Sequence, residues 1–237
     1  MTEILIISIA IFIGFSVQTT AGFAATLASA PILLLIMPLP EAMAVLSILL
    51  LIFSIILVPQ VWKKINKKIC LEMALIGLIG LYFGTVLLKY GNPLFLKKAF
   101  GLFVLIYVIY SFLHKEKIKW INKVKIPFAA LGGLFSGLFS SGGPFFIIYI
   151  NNLIKDHKKI RATIIGIFGI INFARVPLLV QNKILTWELF IKSLYAIPAL
   201  LLGCLVGHYI FKKMPQKTFK TTILVLLFIS GISLIIK

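Results

Sequence analysis

The sequence predicts an all-α integral membrane protein built from a duplicated set of helical spans. Of its 237 residues, 61% are hydrophobic and only 13% are charged, and the mean hydropathy is +1.11. The charges are confined to short clusters between apolar runs, several of which approach the about 20 residues that a helix needs to cross a bilayer. The same order of runs occurs twice. We therefore expect a lipid bilayer as the environment and a multi-pass protein of the cell membrane.

The formal net charge of +18 fits membrane orientation better than nucleic-acid binding. The lysines lie in loops beside apolar segments, as the positive-inside rule describes, so we predict no nucleic-acid partner. Cys70 and Cys204 are the only cysteines, and neither lies in a CxxC motif or near a histidine pair. A disulfide framework and a metal site are therefore not expected. Glu3 stands where a signal peptide carries basic residues, so we expect the first apolar segment to be retained.

The first half opens with a broken apolar stretch. Ile4–Met37 is interrupted at 18–22, where the sequence reads Gln-Thr-Thr-Ala-Gly, and it closes at Pro38. Three further spans follow, and the middle one carries glycines at a spacing that lets helix backbones approach closely. These spans are Ala42–Val58, Cys70–Leu88 with Gly77, Gly80 and Gly84, and Ala99–Leu113.

The second half repeats this order. Ile126–Ile154 is again a long apolar stretch, broken at 140–144, and three spans follow it. These spans are Ala162–Val180, Leu189–Phe211 with Gly203 and Gly207, and Thr221–Ile236. We therefore predict a first repeat over 1–113, a basic cytoplasmic linker over 114–125 and a second repeat over 126–237, integrated in one membrane domain.

The basic loops predict that the two repeats are inverted. The positive-inside rule is obeyed, with 17 of the 24 basic residues in the cytoplasm, when four loops are placed there, 63–68, 115–125, 155–161 and 212–220. Ile126–Ile154 must then enter and leave on one side. Its two arms of roughly 14 residues, or about 21 Å each, are too short for two crossings of about 30 Å, so a re-entrant hairpin follows. By the same count Ile4–Met37 enters and returns from the opposite side. The alternative is eight ordinary spans in parallel repeats.

The two breaks are candidate binding sites. In a helix interior glycine costs roughly 1 kcal/mol and proline roughly 3 kcal/mol, so the second break falls at Ser140, Ser141, Gly142, Gly143 and Pro144. Broken backbone survives in hydrocarbon only when it is packed in protein or lines a wet cavity. A helix that begins after Pro144 would offer N–H groups and the positive end of its dipole to an anion, beside the serine hydroxyls. The first break offers similar groups from Gln18, Thr19, Thr20 and Gly22. The alternative is that both sets only pack helices.

Arg175 lies inside the apolar span Ala162–Val180, close to Asn172. A charge there costs at least about 2.5 kcal/mol unless it faces a partner or water, so we predict a role in substrate binding or in a polar network. Snorkelling toward the nearer interface is the alternative. Tyr149, on the arm after the second break, is a further candidate donor to a substrate oxygen, unless a neighbouring carbonyl satisfies it.

The paired breaks resemble the signatures of the sulfite exporter TauE/SafE family of membrane permeases. Gln18-Thr-Thr-Ala-Gly22-Phe23 followed by Pro31 is similar to the first-half signature of that family. Gly142-Gly143-Pro144, with Tyr149 and the later Arg161-Ala162-Thr163, is similar to the second-half pattern. The resemblance covers nearly the whole chain and implies movement of sulfite, sulfonates and related organosulfur anions. One departure is that Ala24-Ala25 stand where the family often has glycine.

The expected function is secondary transport or facilitation of a small anion, such as sulfite, a sulfonate or a carboxylate, at a site between the two breaks. An anion channel and a non-transporting membrane scaffold are the alternatives. The sequence has no HExxH motif, nucleophile elbow, Walker A loop or paired intramembrane carboxylates, so we predict neither an enzyme nor a cofactor. Without an ATP site, transport is passive or coupled to an ion, either a proton or sodium. The oligomeric state is left open.

Overall fold

The computed structural model describes residues 2–21, 24–113, 125–213 and 216–236. Within these ranges every regular element is helical, which confirms the predicted all-α class. A short 3₁₀ turn, Trp62–Lys64, follows the third helix. The α-helices are α1 Thr2–Ala21, α2 Ala25–Leu33, α3 Leu39–Val61, α4 Lys67–Tyr90, α5 Pro93–Leu113, α6 Lys125–Phe139, α7 Gly143–Leu153, α8 His157–Gln181, α9 Trp187–Tyr195, α10 Ile197–Lys213 and α11 Gln216–Ile236.

Five helices of the described chain are long and apolar enough to cross a membrane, and the bent pair α9–α10 gives a sixth span. The protein is therefore a multi-pass membrane protein, as predicted. The arms of the second break, α6 and α7, have 15 and 11 residues, or about 22 and 16 Å, which is too short for a full crossing. In contrast, α1 has 20 residues, or about 30 Å, so its length suffices to cross the bilayer alone.

The predicted span Leu189–Phe211 is divided in the structure. Helix α9 ends at Tyr195, α10 begins at Ile197, and their axes differ by 42°. Pro198 in the first turn of α10 explains the break, because proline has no N–H to donate and its ring clashes with the carbonyl four residues earlier. The predicted span is therefore formed by two helices with a bend between them, and not by one straight helix.

The helices are grouped into two compact units. Unit 1 contains α1, α2, α5, α9, α10 and α11, together with the first turns of α3. Unit 2 contains the rest of α3, from Ser47 onward, with α4, α6, α7 and α8. Each unit thus draws on both predicted repeats, 1–113 and 126–237, and the repeats themselves stay a prediction.

In unit 1, α10 packs along α1 through glycines. A Cβ atom at Gly203 would lie 2.6 Å from the carbonyl oxygen of Phe12, and one at Gly207 would lie 2.4 Å from that of Ser16. Both distances are much shorter than a van der Waals contact, so only glycine lets these backbones meet. The contacts advance in the same direction on both helices, so α1 and α10 run parallel.

Unit 2 has the same kind of contact between α4 and α6. A Cβ atom at Gly80 would lie 2.1 Å from the carbonyl oxygen of Ala130, and one at Gly84 would lie 2.2 Å from that of Leu134. These helices also run parallel. In each unit the helix that opens one predicted half packs on the glycine-bearing span of the other half.

Helices α6 and α7 enter and leave unit 2 at the same end. Lys125, at the start of α6, forms an ion pair with Glu72 in the second turn of α4. The N–H of Asn66, just before α4, donates to Thr163 Oγ1 in the second turn of α8 at 3.1 Å. The beginnings of α4, α6 and α8 therefore lie together, and only three residues separate the end of α7 from the start of α8. This is the geometry that the re-entrant hairpin model predicts, although residues 114–124 lie outside the described chain.

Asp156 sets the start of α8 at this end. Its carboxylate accepts hydrogen bonds from the N–H of Lys158 at 2.8 Å and from that of Lys159 at 3.4 Å, as a helix N-cap does. The hydrogen bond from Lys158 is the main cause that lowers the pKa of Asp156 from its ordinary value.

Candidate functional site: an enclosed arginine beside the tip of a helical hairpin

Arg175 lies in the last third of α8 and has no solvent exposure. Its Nε donates a hydrogen bond to Ser47 Oγ of α3 at 2.7 Å. Within the described part of the chain, neither terminal nitrogen, Nη1 or Nη2, has a hydrogen-bond partner. A guanidinium carries five N–H donors, so four of them are enclosed without an acceptor.

This burial is energetically costly because, among the described residues, no carboxylate forms an ion pair with Arg175. The chain has only six acidic residues, and those in ion pairs within the described ranges are paired with lysine, namely Glu3, Glu72 and Glu188. A buried charge without a partner costs several kcal/mol. Such a group calls for an explanation, and an intramembrane charge is most often functional. Snorkelling does not explain Arg175, because a snorkelling side chain keeps its head group in water.

The tip of the α6–α7 hairpin brings two serines to this part of unit 2. Ser140 follows α6 with a φ of 50°, in the left-handed region that residues other than glycine rarely adopt. Its Oγ lies 3.4 Å from Ser47 Oγ, and Ser47 thereby links the tip to Arg175. Ser141 is completely buried, and its Oγ has no hydrogen-bond partner among the described residues. The tip therefore adds another unpaired polar atom to those of Arg175.

The glycines and the proline shape the break itself. Helix α7 begins at Gly143 with Pro144 in its first turn, two residues before the predicted start. A Cβ atom at Gly142 would lie 1.9 Å from the carbonyl oxygen of Gly132 in α6, so glycine is required there for packing between the two arms. The first turn of α7 has N–H groups without acceptors inside the helix, which gives this end a partial positive charge.

Asn172 lies one helical turn before Arg175 and is satisfied by α3. Its Nδ2 donates to Ser54 Oγ at 3.0 Å and to the carbonyl oxygen of Leu50 at 3.3 Å. These hydrogen bonds tie α8 to α3 on the side that carries Arg175. The structure therefore places Asn172 in a polar network that holds the arginine's helix.

Tyr149 is buried on α7 and belongs to the apolar cluster of unit 2. It lies six residues after the helix begins, which is about 9 Å along the helix axis. Its side chain is therefore farther along the returning arm than the two serines of the tip, and its role as a donor to a substrate oxygen stays a prediction.

At the first break, in unit 1, the polar residues bond locally. Gln18 is buried, and its Oε1 accepts a hydrogen bond at 2.9 Å from the N–H of Ala25, the first residue of α2. Ala24 occupies the N-cap position without a side-chain cap, and Gln18 satisfies one of the first N–H groups of α2, which have no acceptor within the helix. Thr19 Oγ1 donates to the carbonyl oxygen of Phe15, in its own helix, at 2.8 Å.

Two predicted residues of the first break, Thr20 and Gly22, cannot be placed in this network, because the Thr20 side chain and Gly22 lie outside the described part. After the break α2 folds back along α1, where Ser29 Oγ donates to the carbonyl oxygen of Ala10 at 2.9 Å. Helices α1 and α2, on either side of the first break, are therefore antiparallel.

Helix α3 contributes two serines to the site that were not predicted from the sequence. Ser47 and Ser54 are both buried and are spaced seven residues apart, which places them on one face of this otherwise apolar helix. That spacing is a signal in the sequence. It is a weak one, because a serine in a membrane helix often bonds only to its own backbone.

The assembled groups are donors suited to an anion: a guanidinium, two serine hydroxyls at the tip and a helix N-terminus. Among the described residues, no group of three or more His, Cys, Asp or Glu side chains is placed to hold a metal ion.

A family model described as sulfite exporter TauE/SafE matches residues 6–234. The match extends from α1 to α11 and includes both breaks. Comparisons with curated proteins and with solved structures gave no match.

Proposed function

Because the chain belongs to the sulfite exporter TauE/SafE family, we propose that it is a secondary transporter of a small sulfur anion, sulfite or a sulfonate, that binds at Arg175. Family membership and the apolar helices make it a multi-pass membrane transport protein. The observation that carries the proposed site is that the two terminal nitrogens of Arg175, at zero solvent exposure, have no hydrogen-bond partner among the described residues.

The chemistry of the guanidinium fits such an anion. Ser47 binds Nε and so fixes the plane of the group, which leaves the edge formed by Nη1 and Nη2 for a ligand. This planar fork matches two oxygens of a sulfite, sulfonate or carboxylate, and hydrogen bonds between two charged groups are the strong ones. A monoanion bound there would also neutralise the buried charge. Family membership favours the sulfur anions over the carboxylates.

Full enclosure favours a carrier over an open channel. Arg175 and Ser141 both have zero exposure, whereas the ion-binding groups of an open pore contact water. A carrier passes through states in which its site is closed, and broken helices supply its site in many secondary transporters. We therefore favour alternating access, in the cell membrane, with movement of the hairpin tip as the step that admits the anion.

Counterflow of radiolabelled sulfite in proteoliposomes tests this proposal. We expect saturable counterflow for the wild-type protein and a loss of roughly tenfold to hundredfold in affinity for Arg175→Lys, which keeps the charge but not the fork. Arg161→Lys is the matched control, because Arg161 is the other arginine of the sequence and lies near the beginning of α8. It should transport like the wild type.

The other outcomes separate the alternatives. An unsaturated, ohmic current would indicate a channel, and the absence of both flux and anion binding would indicate a scaffold. Normal counterflow in Arg175→Lys would place the site elsewhere. Repeating the assay under imposed proton and sodium gradients identifies the coupling ion, and equal rates under all gradients indicate a passive facilitator.

A further inference from the structure

Unit 2 carries an apolar groove that the anion site does not use. It has a volume of about 560 Å³ and lies between α3, the start of α4 and α8, with Leu51, Val58, Gly166 and Phe173 among its lining residues. Ile55, Leu71 and Phe173, which line it, are each more than half exposed, so the groove is open to the surroundings of the protein. In a membrane protein those surroundings are lipid.

Two glycines of α8 leave the floor of the groove without side chains. A Cβ atom at Gly169 would lie 2.8 Å from Val58 Cγ2, and one at Gly166 would lie 3.0 Å from Cys70 Sγ. Along α3 and into the 3₁₀ turn that follows it, the groove extends from Leu51 to Trp62, or about 16 Å. This is about half of the roughly 30 Å hydrocarbon core, which is the depth of one leaflet.

The polar atoms at the inner end of the groove are already satisfied. Ser54 lines the groove, but its Oγ donates to the carbonyl oxygen of Leu50 at 2.8 Å and accepts from Asn172 at 3.0 Å. The inner part therefore suits a hydrocarbon chain and not a polar molecule.

The other end of the groove is basic. Lys67 lines it, and its ammonium lies over the ring of Trp62, 5.4 Å from the ring centroid. The segment around this end also carries exposed Lys63, Lys64 and Lys68, and the sequence from 59 to 71 contains no acidic residue. Glu72, the next acid along the chain, is engaged by Lys125. The charge at this end is thus complementary to a phosphate group.

We propose that this groove binds an anionic phospholipid, with one acyl chain between α3 and α8 and the phosphate beside Lys67. The groove has the depth of one leaflet, and the tryptophan and the lysines stand where the head group of such a lipid lies. Basic residues at the cytoplasmic membrane surface attract anionic lipids, and intramembrane basic pockets bind their head groups.

Native mass spectrometry of the full-length, delipidated protein tests the proposal by titration with phosphatidylglycerol and with phosphatidylcholine of the same acyl chains. We expect tighter binding of phosphatidylglycerol to the wild type. Lys67→Gln should weaken it about fivefold and weaken phosphatidylcholine binding less, because the choline cation already offsets the charge of that phosphate. Lys89→Gln is the matched control, because Lys89 also stands over an aromatic ring, that of Tyr90 at 4.9 Å, and does not line the groove.

A second variant tests the acyl chain separately from the head group. Gly169→Leu should fill the floor and weaken the binding of both lipids. Equal affinity of the wild type for the two lipids would overturn the proposal, as would equal losses in Lys67→Gln and Lys89→Gln. Retention of full phosphatidylglycerol binding by a folded Gly169→Leu would show that the chain lies elsewhere, and displacement of the lipid by dimer formation would assign the groove to a second copy.

Discussion

Arg175 Nε donates to Ser47 Oγ across 2.7 Å, so the arginine inside the apolar part of α8 is held by a hydroxyl group. A neutral serine fixes the orientation of the guanidinium without compensating its charge. An acid in the same place would form a closed ion pair. The serine instead leaves the charge available for an anion from outside the protein, at the cost of a less stable empty state.

Because the buried charge destabilises the empty protein, Arg175→Met should abolish transport without lowering the free energy of unfolding. Methionine removes a buried, uncompensated charge, so the free energy of unfolding should stay unchanged or rise by about 1–4 kcal/mol in the absence of substrate. Sulfite counterflow should be lost. Thermal unfolding in detergent and proteoliposome flux measure the two effects. A marked loss of stability with normal flux would mean that Arg175 has a structural role.

The unpaired hydroxyl of Ser141 predicts a smaller effect on the same site. Ser141→Ala should leave stability nearly unchanged, because the Oγ atom has no partner among the described residues. If this hydroxyl donates to the bound anion, its loss should weaken sulfite binding by roughly tenfold to hundredfold. Titration with sulfite, followed by the shift in the unfolding temperature, measures this.

Ser136→Ala is the control for that variant. Ser136 is also a buried serine of the hairpin, but its Oγ already donates to the carbonyl oxygen of Gly132 at 2.7 Å. The affinity of the Ser136→Ala variant for sulfite should equal that of the wild type. Equal losses in the two variants would indicate a general disturbance of the hairpin.

The glycine contacts predict that Gly80→Ala prevents folding and that Gly169→Ala does not. In Gly80→Ala the new methyl group would lie 2.1 Å from the carbonyl oxygen of Ala130, and neither backbone can move away without separating α4 from α6. We expect little folded protein. In Gly169→Ala the new methyl group would lie 2.8 Å from the end of the Val58 side chain. That side chain can rotate away, so this variant should fold. Size-exclusion profiles of the two variants measure the difference, and a monodisperse Gly80→Ala would refute the packing account.

The hairpin geometry predicts the accessibility of single cysteines in a variant without Cys70 and Cys204. Lys64→Cys and Lys158→Cys should react with an impermeant thiol reagent from the same side, the cytoplasm, because the start of α4 and the start of α8 lie together. Gln181→Cys, at the far end of α8, should react from the opposite side. Reaction of Lys64→Cys and Lys158→Cys from opposite sides would exclude the hairpin.

The sequence predicted the helices well because apolar length and basic loops are strong constraints in a membrane. It also made Arg175 a candidate for a binding site or a polar network, since a charge inside an apolar span needs a partner. The sequence did not predict the division of α9 from α10, because Pro198 lies inside an apolar run that has the length of one span. Tyr149 was a candidate because it follows the break closely in sequence, and it stays a prediction, since it lies six residues into α7.

The contact of Ser47 with Arg175 could not be predicted from the sequence. Its role depends on which helix faces Arg175, and a pairing between residues 128 positions apart follows from tertiary packing alone. The same holds for the difference between Gln18, whose amide oxygen bonds to the chain itself, and Ser141, whose hydroxyl does not find a partner in the described residues. Both are polar residues at a break, and composition does not distinguish them.

Isothermal titration of the purified protein with sulfite tests the central claim most directly, when the wild type is compared with Arg175→Gln and Arg161→Gln. The account predicts saturable binding by the wild type and by Arg161→Gln, and a loss of roughly a hundredfold or more in affinity for a folded Arg175→Gln, because a charged partner is removed from a buried site. Equal affinity of the wild type and Arg175→Gln for sulfite would contradict it.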